Sequence, residues 1–515
     1  MDEIHASYSF YPRKDNPCPD VGHCPHVGGA AIASLVLVGN QNELYVRHLH
    51  ETIDAENQRN SRLLNENQRL SVELEQVKLE LKLERQNKFA TNKQKEAEPE
   101  QVAEPSPEKP KKKRGAPVGH TGWFRPTPNE YDWHVDVPAP SRCPHCLGPI
   151  NQLPNADRHD HFQEDIIDGA YRVVLYRHAA CHCPQCDRHV EKAGKNEILL
   201  SRIGPFLRSK AIYLRNVIGI SYRKVPRAIE EMFEITFSPA ALIGFETALA
   251  KLAERVVDDI AKKLGSSEAA VHADETYWTL DGDRAYFWVH GDDNFVHFQF
   301  DTTRAGQVSR DVLGPHFTGT LVTDCYSGYA AHETDKKQKC LAHLARTARD
   351  WQKLTKEGTL DFAFFKDVRN FVTRACAFHR DRAAGRLDGE QLRREEFWLR
   401  ERLKYLSEAT IAHKKAVTLQ GRINRHYTEW LVFVDDSRVP PTNNLAERAL
   451  RPLVVLRKIT FGHRSKGGAE RMAKLMTIAE TARRHGHRAS DIYFELLTRP
   501  PDAVMRRLYA PPKTI

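Results

Sequence analysis

The sequence predicts a multidomain protein of the α+β class, in which one α/β domain carries the chemistry and helices dominate the rest. Three observations support this prediction: two strand-like segments that each end in an aspartate, two Cys-x-x-Cys pairs, and long stretches of helical periodicity. At 515 residues the chain is long enough for three or four domains, each with its own core.

A heptad pattern predicts a coiled coil over residues 41–95. Apolar residues recur at steps of three and four, and Asn60 and Asn67 occupy core positions of the same register. Buried asparagine favours a two-stranded coil, so we expect a homodimer or higher oligomer. The alternative is a single long helix packed on its own chain. In the preceding segment, residues 1–40, an apolar run over 27–39 is too short to span a membrane, and the role of this segment is left open.

Residues 96–130 have the composition of a linker, rich in Pro, Glu and Lys and poor in apolar residues. The linker contains a basic cluster followed by Gly and Pro, and a basic arm of this kind can enter the minor groove of DNA. The alternative is an ordinary solvated polybasic linker. The cluster consists of Lys111, Lys112, Lys113 and Arg114.

Residues 131–200 predict a zinc ribbon. The pairs Cys143/Cys146 and Cys183/Cys186 are separated by 36 residues, and four thiolates at such spacing can close a tetrahedral structural Zn²⁺ site. The alternative is four reduced thiols without metal. Cys181 and the adjacent histidine crowd the second pair and leave its ligand assignment open.

Residues 201–265 are helical in pattern and resemble a helix-turn-helix. The predicted second helix, 239–252, has Ser238 at its N-cap and Pro239 at its first position, as both residues prefer. This helix could read DNA, whereas Pro226 inside the first helix weakens the assignment. The alternative is helical packing beside the catalytic domain.

The pattern of residues 266–490 predicts a domain with carboxylate ligands for metal ions. Segments 269–274 and 320–324 read as strands that end in Asp274 and Asp324, and 284–300 reads as a hairpin. Aspartates on neighbouring strands can share Mg²⁺, a hard cation that prefers carboxylate oxygens. Taken singly, each is also an ordinary turn-capping aspartate.

A downstream helix offers a third acid, Glu447. Two magnesium ions held by three carboxylates would stabilise both oxygens of an in-line displacement at phosphorus. The alternative is a capping box, in which Asn444 caps the helix and Glu447 reaches back to its amide. Arg448 and Arg451 share the polar face of this helix and suit a phosphate backbone.

The charge distribution predicts a nucleic-acid partner. Residues 440–515 contain 15 Lys and Arg against 6 Asp and Glu, an excess of +9 that equals the net charge of the whole chain. The alternative is a solvated helix surface.

Residues 340–430 have helical spacing and predict an all-α insertion in the catalytic domain. Cys340 and His343 begin it one turn apart, and we interpret them as a packed cysteine and a hydrogen-bonded histidine, not a zinc pair. Residues 491–515 are interpreted as a C-terminal tail.

Several motifs in order resemble the insertion-sequence-sixty-six family of bacterial transposases. They are His272-Ala-Asp274-Glu-Thr276, Thr323-Asp324-Cys-Tyr-Ser-Gly-Tyr329, Cys340-Leu-Ala-His343-Leu-Ala-Arg346, Asn443-Asn-Leu-Ala-Glu447-Arg-Ala-Leu-Arg451-Pro and Arg457-Lys458.

The resemblance implies an RNase H-like catalytic domain whose triad is Asp274, Asp324 and Glu447. It implies double-stranded DNA as partner and Mg²⁺ or Mn²⁺ as cofactor for cleavage of transposon ends and strand transfer. It further implies a bacterial cytoplasmic protein on the nucleoid, without a membrane, and accessory proteins from the same element.

Four more residues become candidates for the site, either because of the resemblance or because of their position in the sequence. His343 is an accessory candidate at the active site, and Arg304 is a candidate to hold the scissile phosphate. Arg457 and Lys458 join the DNA-binding candidates. The alternative function is a catalytically silent, DNA-binding relic of a transposase.

Overall fold

The computed structural model describes residues 58–59, 66, 125–154, 158–315, 317–332, 334 and 336–511. Residues 58, 59 and 66, within the predicted coiled coil, are helical and exposed. The rest of that coiled coil, residues 1–40, most of the linker and the basic cluster 111–114 lie outside the described residues. All other described elements belong to one compact unit, Gly122–Ile515.

The predicted ribbon contains two small sheets. The first has the order β1-β4-β3, with β1 parallel and β3 antiparallel to β4. The second has the order β2-β5-β6 and is antiparallel. The strands are β1 (Trp133–Val137), β2 (Asn151–Gln152), β3 (His159–Ile167), β4 (Ala170–His178), β5 (Cys181–Cys183) and β6 (Arg188–His189).

Three helices follow, α1 (Pro205–Asn216), α2 (Lys224–Phe233) and α3 (Pro239–Gly265). The Ser238 side chain accepts a hydrogen bond from the Ala241 amide (3.1 Å), so the predicted N-cap is confirmed. Pro226 is the third residue of α2, in the first turn, where the missing amide proton breaks no helical bond.

Helix α3 is longer than the predicted 239–252. Apolar residues continue at helical spacing beyond residue 252, and Val256, Ile260 and Leu264 are buried in the same core as the first half of the helix. One face of α3 therefore packs on the central sheet, whereas DNA reading by its other face stays a prediction.

The central sheet has five strands in the order β11-β10-β7-β8-β9. Strands β7 to β9 form an antiparallel meander, and β10 runs parallel to both β7 and β11. Helix α4 (Gln307–Leu313) connects β9 to β10. The strands are β7 (Val271–Leu280), β8 (Asp283–Gly291), β9 (Val296–Asp301), β10 (Leu321–Thr323) and β11 (Lys337–Lys339).

The prediction that a strand ends at Asp274 was wrong. Strand β7 continues to Leu280, because β7 pairs with β8 over its whole length from His272 opposite Gly291 to Leu280 opposite Asp283. Asp324, in contrast, directly follows β10 as predicted.

Helices occupy the predicted insertion and share a core that includes Phe365, Phe371, Leu403 and Trp430. The chain then returns to the sheet, where Leu453 and Met476 pack against Trp278 and Phe287. The helices are α5 (Leu341–Gln352), α6 (Leu360–Ala383), α7 (Gly389–Glu408), α8 (Lys414–Arg425), α9 (Val432–Asp435), α10 (Asn444–Thr460) and α11 (Lys466–Arg484).

The predicted C-terminal tail is a packed part of the fold over most of its length. Helices α12 (Ala489–Thr498) and α13 (Pro501–Leu508) bury Tyr493, Leu496 and Leu508 in the core formed around α3. The tail prediction was wrong because these apolar positions have helical spacing and complete that core. Over the described ranges, no helix is both long enough and apolar enough to cross a bilayer.

Candidate active site

The strand register brings the two predicted aspartates together. In the parallel pair β10/β7, Leu321 lies opposite Val271 and Val322 lies opposite His272, an offset of 50 residues. Asp324 and Asp274 differ by the same 50, and Asp324 directly follows β10. The two carboxyl groups lie near enough for the charge of Asp324 to raise the pKa of Asp274. Neighbouring strands lie about 4.8 Å apart, close enough for both carboxylates to contact shared cations.

Asn443 holds the start of α10 against β7 beside Asp274. Its buried side chain donates from Nδ2 to the Ala273 carbonyl (2.8 Å) and accepts from His272 Nδ1 (2.9 Å). Its amide donates to Cys340 Sγ (3.1 Å), which ties the start of α5 to the same point. Glu447 follows one helical turn later on this anchored helix.

The capping-box alternative for Glu447 does not hold. The N-cap of α10 is Asn443 and not Asn444, and no side chain caps the helix. Glu447 Oε1 is buried and has no hydrogen-bond partner, so its carboxylate does not reach back to the helix start. The oxygen is available to a ligand.

The carboxyl group of Asp274 is buried beside other acids. Burial, together with the negative charges of Glu275, Asp324 and Glu447, raises the pKa of Asp274 to about 8. Two backbone amides orient the aspartates: Glu275 N–H donates to Asp274 Oδ1 (2.9 Å) and Tyr326 N–H donates to Asp324 Oδ1 (2.8 Å). A site with this charge distribution favours a cation.

The three acids are more widely spaced than a single group of ligand atoms. Among the described residues, three groups of ligand atoms lie within 4.8 Å of one another; one of them joins Glu447 to Cys340 and His343, and none contains all three acids. Two ions about 4 Å apart, each about 2.1 Å from its oxygens, need ligands spread over several ångströms more.

Two basic side chains of α5 face Glu447. His343 Nε2 lies 3.5 Å from Glu447 Oε1, and Arg346 Nη2 lies 3.7 Å from Oε2. The prediction that His343 approaches the active site agrees with this geometry. Arg346 was not among the predicted site residues, although its position three residues after His343 places it on the same helix face.

Arg304 is engaged by protein groups in this structure. Its Nε donates to Glu275 Oε1 (2.8 Å), and its guanidinium lies 3.9 Å from the centre of the Tyr326 ring. Glu275 also accepts a hydrogen bond from the buried Tyr329 hydroxyl. This network, which sequence reasoning missed, connects β7 to the loop that carries Asp324.

The predicted DNA-binding residues on α10 lie in two different environments. Arg448, Arg451 and Lys458 are exposed. Arg457 instead donates to Thr276 Oγ1 (3.3 Å) and to the Tyr277 carbonyl, so it bonds the helix to β7.

The four predicted cysteines converge. Cys143 Sγ lies 3.6 Å from Cys186 Sγ, and Cys146 Sγ lies 3.5 Å from Cys183 Sγ. A tetrahedral ZnS₄ centre with Zn–S bonds of about 2.3 Å has sulfur–sulfur edges of about 3.8 Å, so the group is consistent with structural zinc. Burial alone would raise the pKa of Cys143, but backbone amides lower it to about 6, which favours the thiolate.

The neighbours that crowd the second pair lie outside this group. Cys181 Sγ faces the Ala179 carbonyl at 3.5 Å, and His182 Nε2 lies 2.9 Å from Asp187 Oδ1.

A second buried cluster in the ribbon was not predicted. Glu197 Oε1 lies 2.6 Å from His161 Nδ1 and 2.8 Å from His178 Nε2, and all three residues are buried or nearly so. Burial opposes ionisation of Glu197, but hydrogen bonds from the two histidines lower its pKa to about 2. These separations are hydrogen-bond distances, so the cluster joins β3 and β4 to residue 197 through hydrogen bonds.

Comparison with known proteins identifies a family for this chain. The family model described as "Transposase IS66 family" matches residues 201–471, just over half of the chain and all three predicted acids. The chain belongs to this family.

A curated relative is also similar. The "Uncharacterized protein y4qI" of Sinorhizobium fredii (strain NBRC 101917 / NGR234) is 24% identical over 333 residues. The match covers 57% of this chain and 56% of the relative, so the chain spans about half the length of that protein.

Proposed function

We propose that this protein is an active transposase that binds the ends of an insertion sequence and catalyses strand cleavage and strand transfer with two metal ions. Its catalytic domain is RNase H-like, with Asp274, Asp324 and Glu447 as metal ligands. The observation that supports the proposal is the shared register offset, since β10 runs parallel to β7 with an offset of 50 residues and Asp324, which directly follows β10, is 50 residues after Asp274.

The residues of the proposed site have three roles: metal binding, orientation of a ligand, and attraction of DNA. Bound Mg²⁺ or Mn²⁺ would stabilise the attacking and leaving oxygens of an in-line displacement at phosphorus. Asp274 and Asp324 would hold the ions from the sheet side, and Glu447 would complete the ligand set from α10 with Oε1, which accepts no hydrogen bond in the protein. His343 and Arg346 orient Glu447, and Arg448, Arg451 and Lys458 attract the DNA backbone.

The remaining features serve assembly. The four cysteines bind a structural zinc, and the predicted coiled coil joins two or more chains on the DNA. The basic cluster Lys111–Arg114 contacts DNA, and accessory proteins of the same element assist.

The experiment is a nicking assay on a double-stranded oligonucleotide that carries the element's end. With Mg²⁺ the wild type nicks the end, whereas Asp274→Asn, Asp324→Asn and Glu447→Gln bind it without nicking. Asp283→Asn, an exposed aspartate at the start of β8, is the matched control and retains activity. Cleavage by Asp274→Asn would refute the assignment. Binding with no cleavage by the wild type in either Mg²⁺ or Mn²⁺ would favour the silent relic.

A further inference from the structure

Phe461 is exposed in a conformation that its side chain disfavours. It ends α10 with φ +59°, and 75% of its surface is accessible to solvent. Glycine usually takes this left-handed position at the end of a helix, and a bulky residue there costs free energy. Such an outlier motivates a functional hypothesis.

The backbone around Phe461 is held firmly. Its amide donates to the Arg457 carbonyl (2.9 Å), and a Cβ on the next residue, Gly462, would lie 2.2 Å from the Thr279 carbonyl oxygen. The His463 amide donates to that same carbonyl (2.8 Å), and Trp278 Nε1 donates to His463 Nδ1 (3.0 Å). The loop therefore packs tightly on β7 while the Phe461 ring projects from it.

The surface around the ring complements nucleic acid. Lys458, Arg464 and Lys466 are exposed on either side of Phe461 in the sequence, and Val455 and Ile459 are about half-exposed on the same helix. Basic side chains attract phosphates, and an exposed apolar ring can stack on bases or wedge between them. Lys466 lies 3.7 Å from Glu470, and the remaining excess of basic side chains in this rim argues for DNA as the occupant, over an apolar protein surface.

The helix sets the distance between this ring and the acids. Phe461 follows Glu447 by 14 residues, which is roughly 21 Å along an α-helix and close to a whole number of turns. At 3.4 Å per base pair this length corresponds to about six base pairs of duplex. Arg451 and Lys458 lie between the two points on neighbouring parts of the helix surface.

We propose that Phe461 inserts against a base step of the bound element end, about six base pairs from the scissile phosphate. This inference rests on the proposed function and adds a DNA-contact residue to it. The wedge fixes the register of the end on α10, so that one phosphate reaches the three acids.

The test uses the full chain and end duplexes with a single 2-aminopurine at each of the first ten positions, without divalent ions. The wild type changes the fluorescence at positions close to the sixth base pair. Phe461→Ala abolishes this change and weakens binding about 10-fold, because one stacking contact is lost. Phe461→Trp restores both. Phe397→Ala removes an exposed ring of the same kind (67% accessible) from α7 and behaves as wild type.

The outcomes separate the two proposals. If Phe461→Ala binds and nicks the end as the wild type does, with the same fluorescence profile, the wedge is refuted and the transposase proposal survives. If the substitution instead changes the mass of the assembly in light scattering and leaves DNA contacts intact, a second chain covers the ring and the wedge is again refuted. If the wild type binds no end DNA, both proposals fall.

Discussion

At the scale of single residues, the surroundings of Asp274 disfavour the charged form of its carboxyl group. Burial and three neighbouring acids raise its pKa from 3.8 to about 8. In the unfolded chain the same group is ionised above pH about 4. Burial of Asp274 therefore costs free energy of folding. This cost is absent below pH 4, grows between pH 4 and 8, and stays constant above the pKa that Asp274 has in the folded state. A bound cation removes that penalty and releases the proton.

This leads to a stability prediction for Asp274→Asn. In EDTA at pH 8 the variant should melt roughly 2–4 °C above the wild type, because a neutral amide replaces a buried carboxylate. The difference should vanish near pH 4, and Mg²⁺ should raise the Tm of the wild type only. Thermal melts at both pH values check this, with Asp283→Asn as control. A variant that melts below the wild type at pH 8 would contradict the electrostatic account.

His343 allows a second prediction at this scale. Replacing it with Ala removes the group 3.5 Å from Glu447 Oε1 and should lower the nicking rate about 10- to 100-fold, the usual cost of losing a residue that orients a metal ligand. DNA affinity should not change. Arg349→Ala, an exposed residue on the same helix, serves as control. Equal nicking rates for the His343 variant and the wild type would show that Glu447 needs no such support.

At the scale of elements, Asn443 joins three of them. Its side chain bonds α10 to β7 through His272 and the Ala273 carbonyl, and its amide bonds to Cys340 at the start of α5. The position of Glu447 thus depends on one fully buried amide. The neighbouring Asn444 is exposed, although sequence pattern alone makes it the better cap.

Asn443→Ala should therefore lower stability by roughly 2–4 kcal/mol, because two buried polar groups lose their partner. It should also lower nicking, since α10 loses its anchor beside Asp274. Asn444→Ala is the matched control, with stability within about 0.5 kcal/mol of the wild type. Urea unfolding and the nicking assay measure both effects. Equal effects of the two substitutions would refute the anchoring role.

At the scale of the whole molecule, the four-cysteine group should hold one zinc ion per chain. Cys143→Ser and Cys186→Ser should lose the metal and become sensitive to protease within residues 131–200. Cys181→Ser should retain zinc, because Cys181 Sγ lies outside the group and faces the Ala179 carbonyl. Metal analysis of the purified variants decides this. Zinc loss in the Cys181 variant would place the ligands differently.

The sequence predicted the residue types of both sites but not how the chain brings them together. The cysteine spacing, Ser238 as a cap and the helices after Asp324 were all readable from local patterns. The shared register of β7 and β10 and the bonds of Asn443 were not, because they join segments 50 to 171 residues apart. Local patterns also placed the end of β7 too early, because pairing with β8 determines where this strand ends. They predicted a C-terminal tail, because burial against α3 is not visible in a local pattern.

The most direct test of the account is the anomalous scattering of Mn²⁺ in crystals of the full chain bound to its DNA end. Two peaks about 4 Å apart, contacted by Asp274, Asp324 and Glu447 and lost in Asp274→Asn, are the predicted result. Mn²⁺ bound elsewhere, or no ion between these carboxylates, would contradict it.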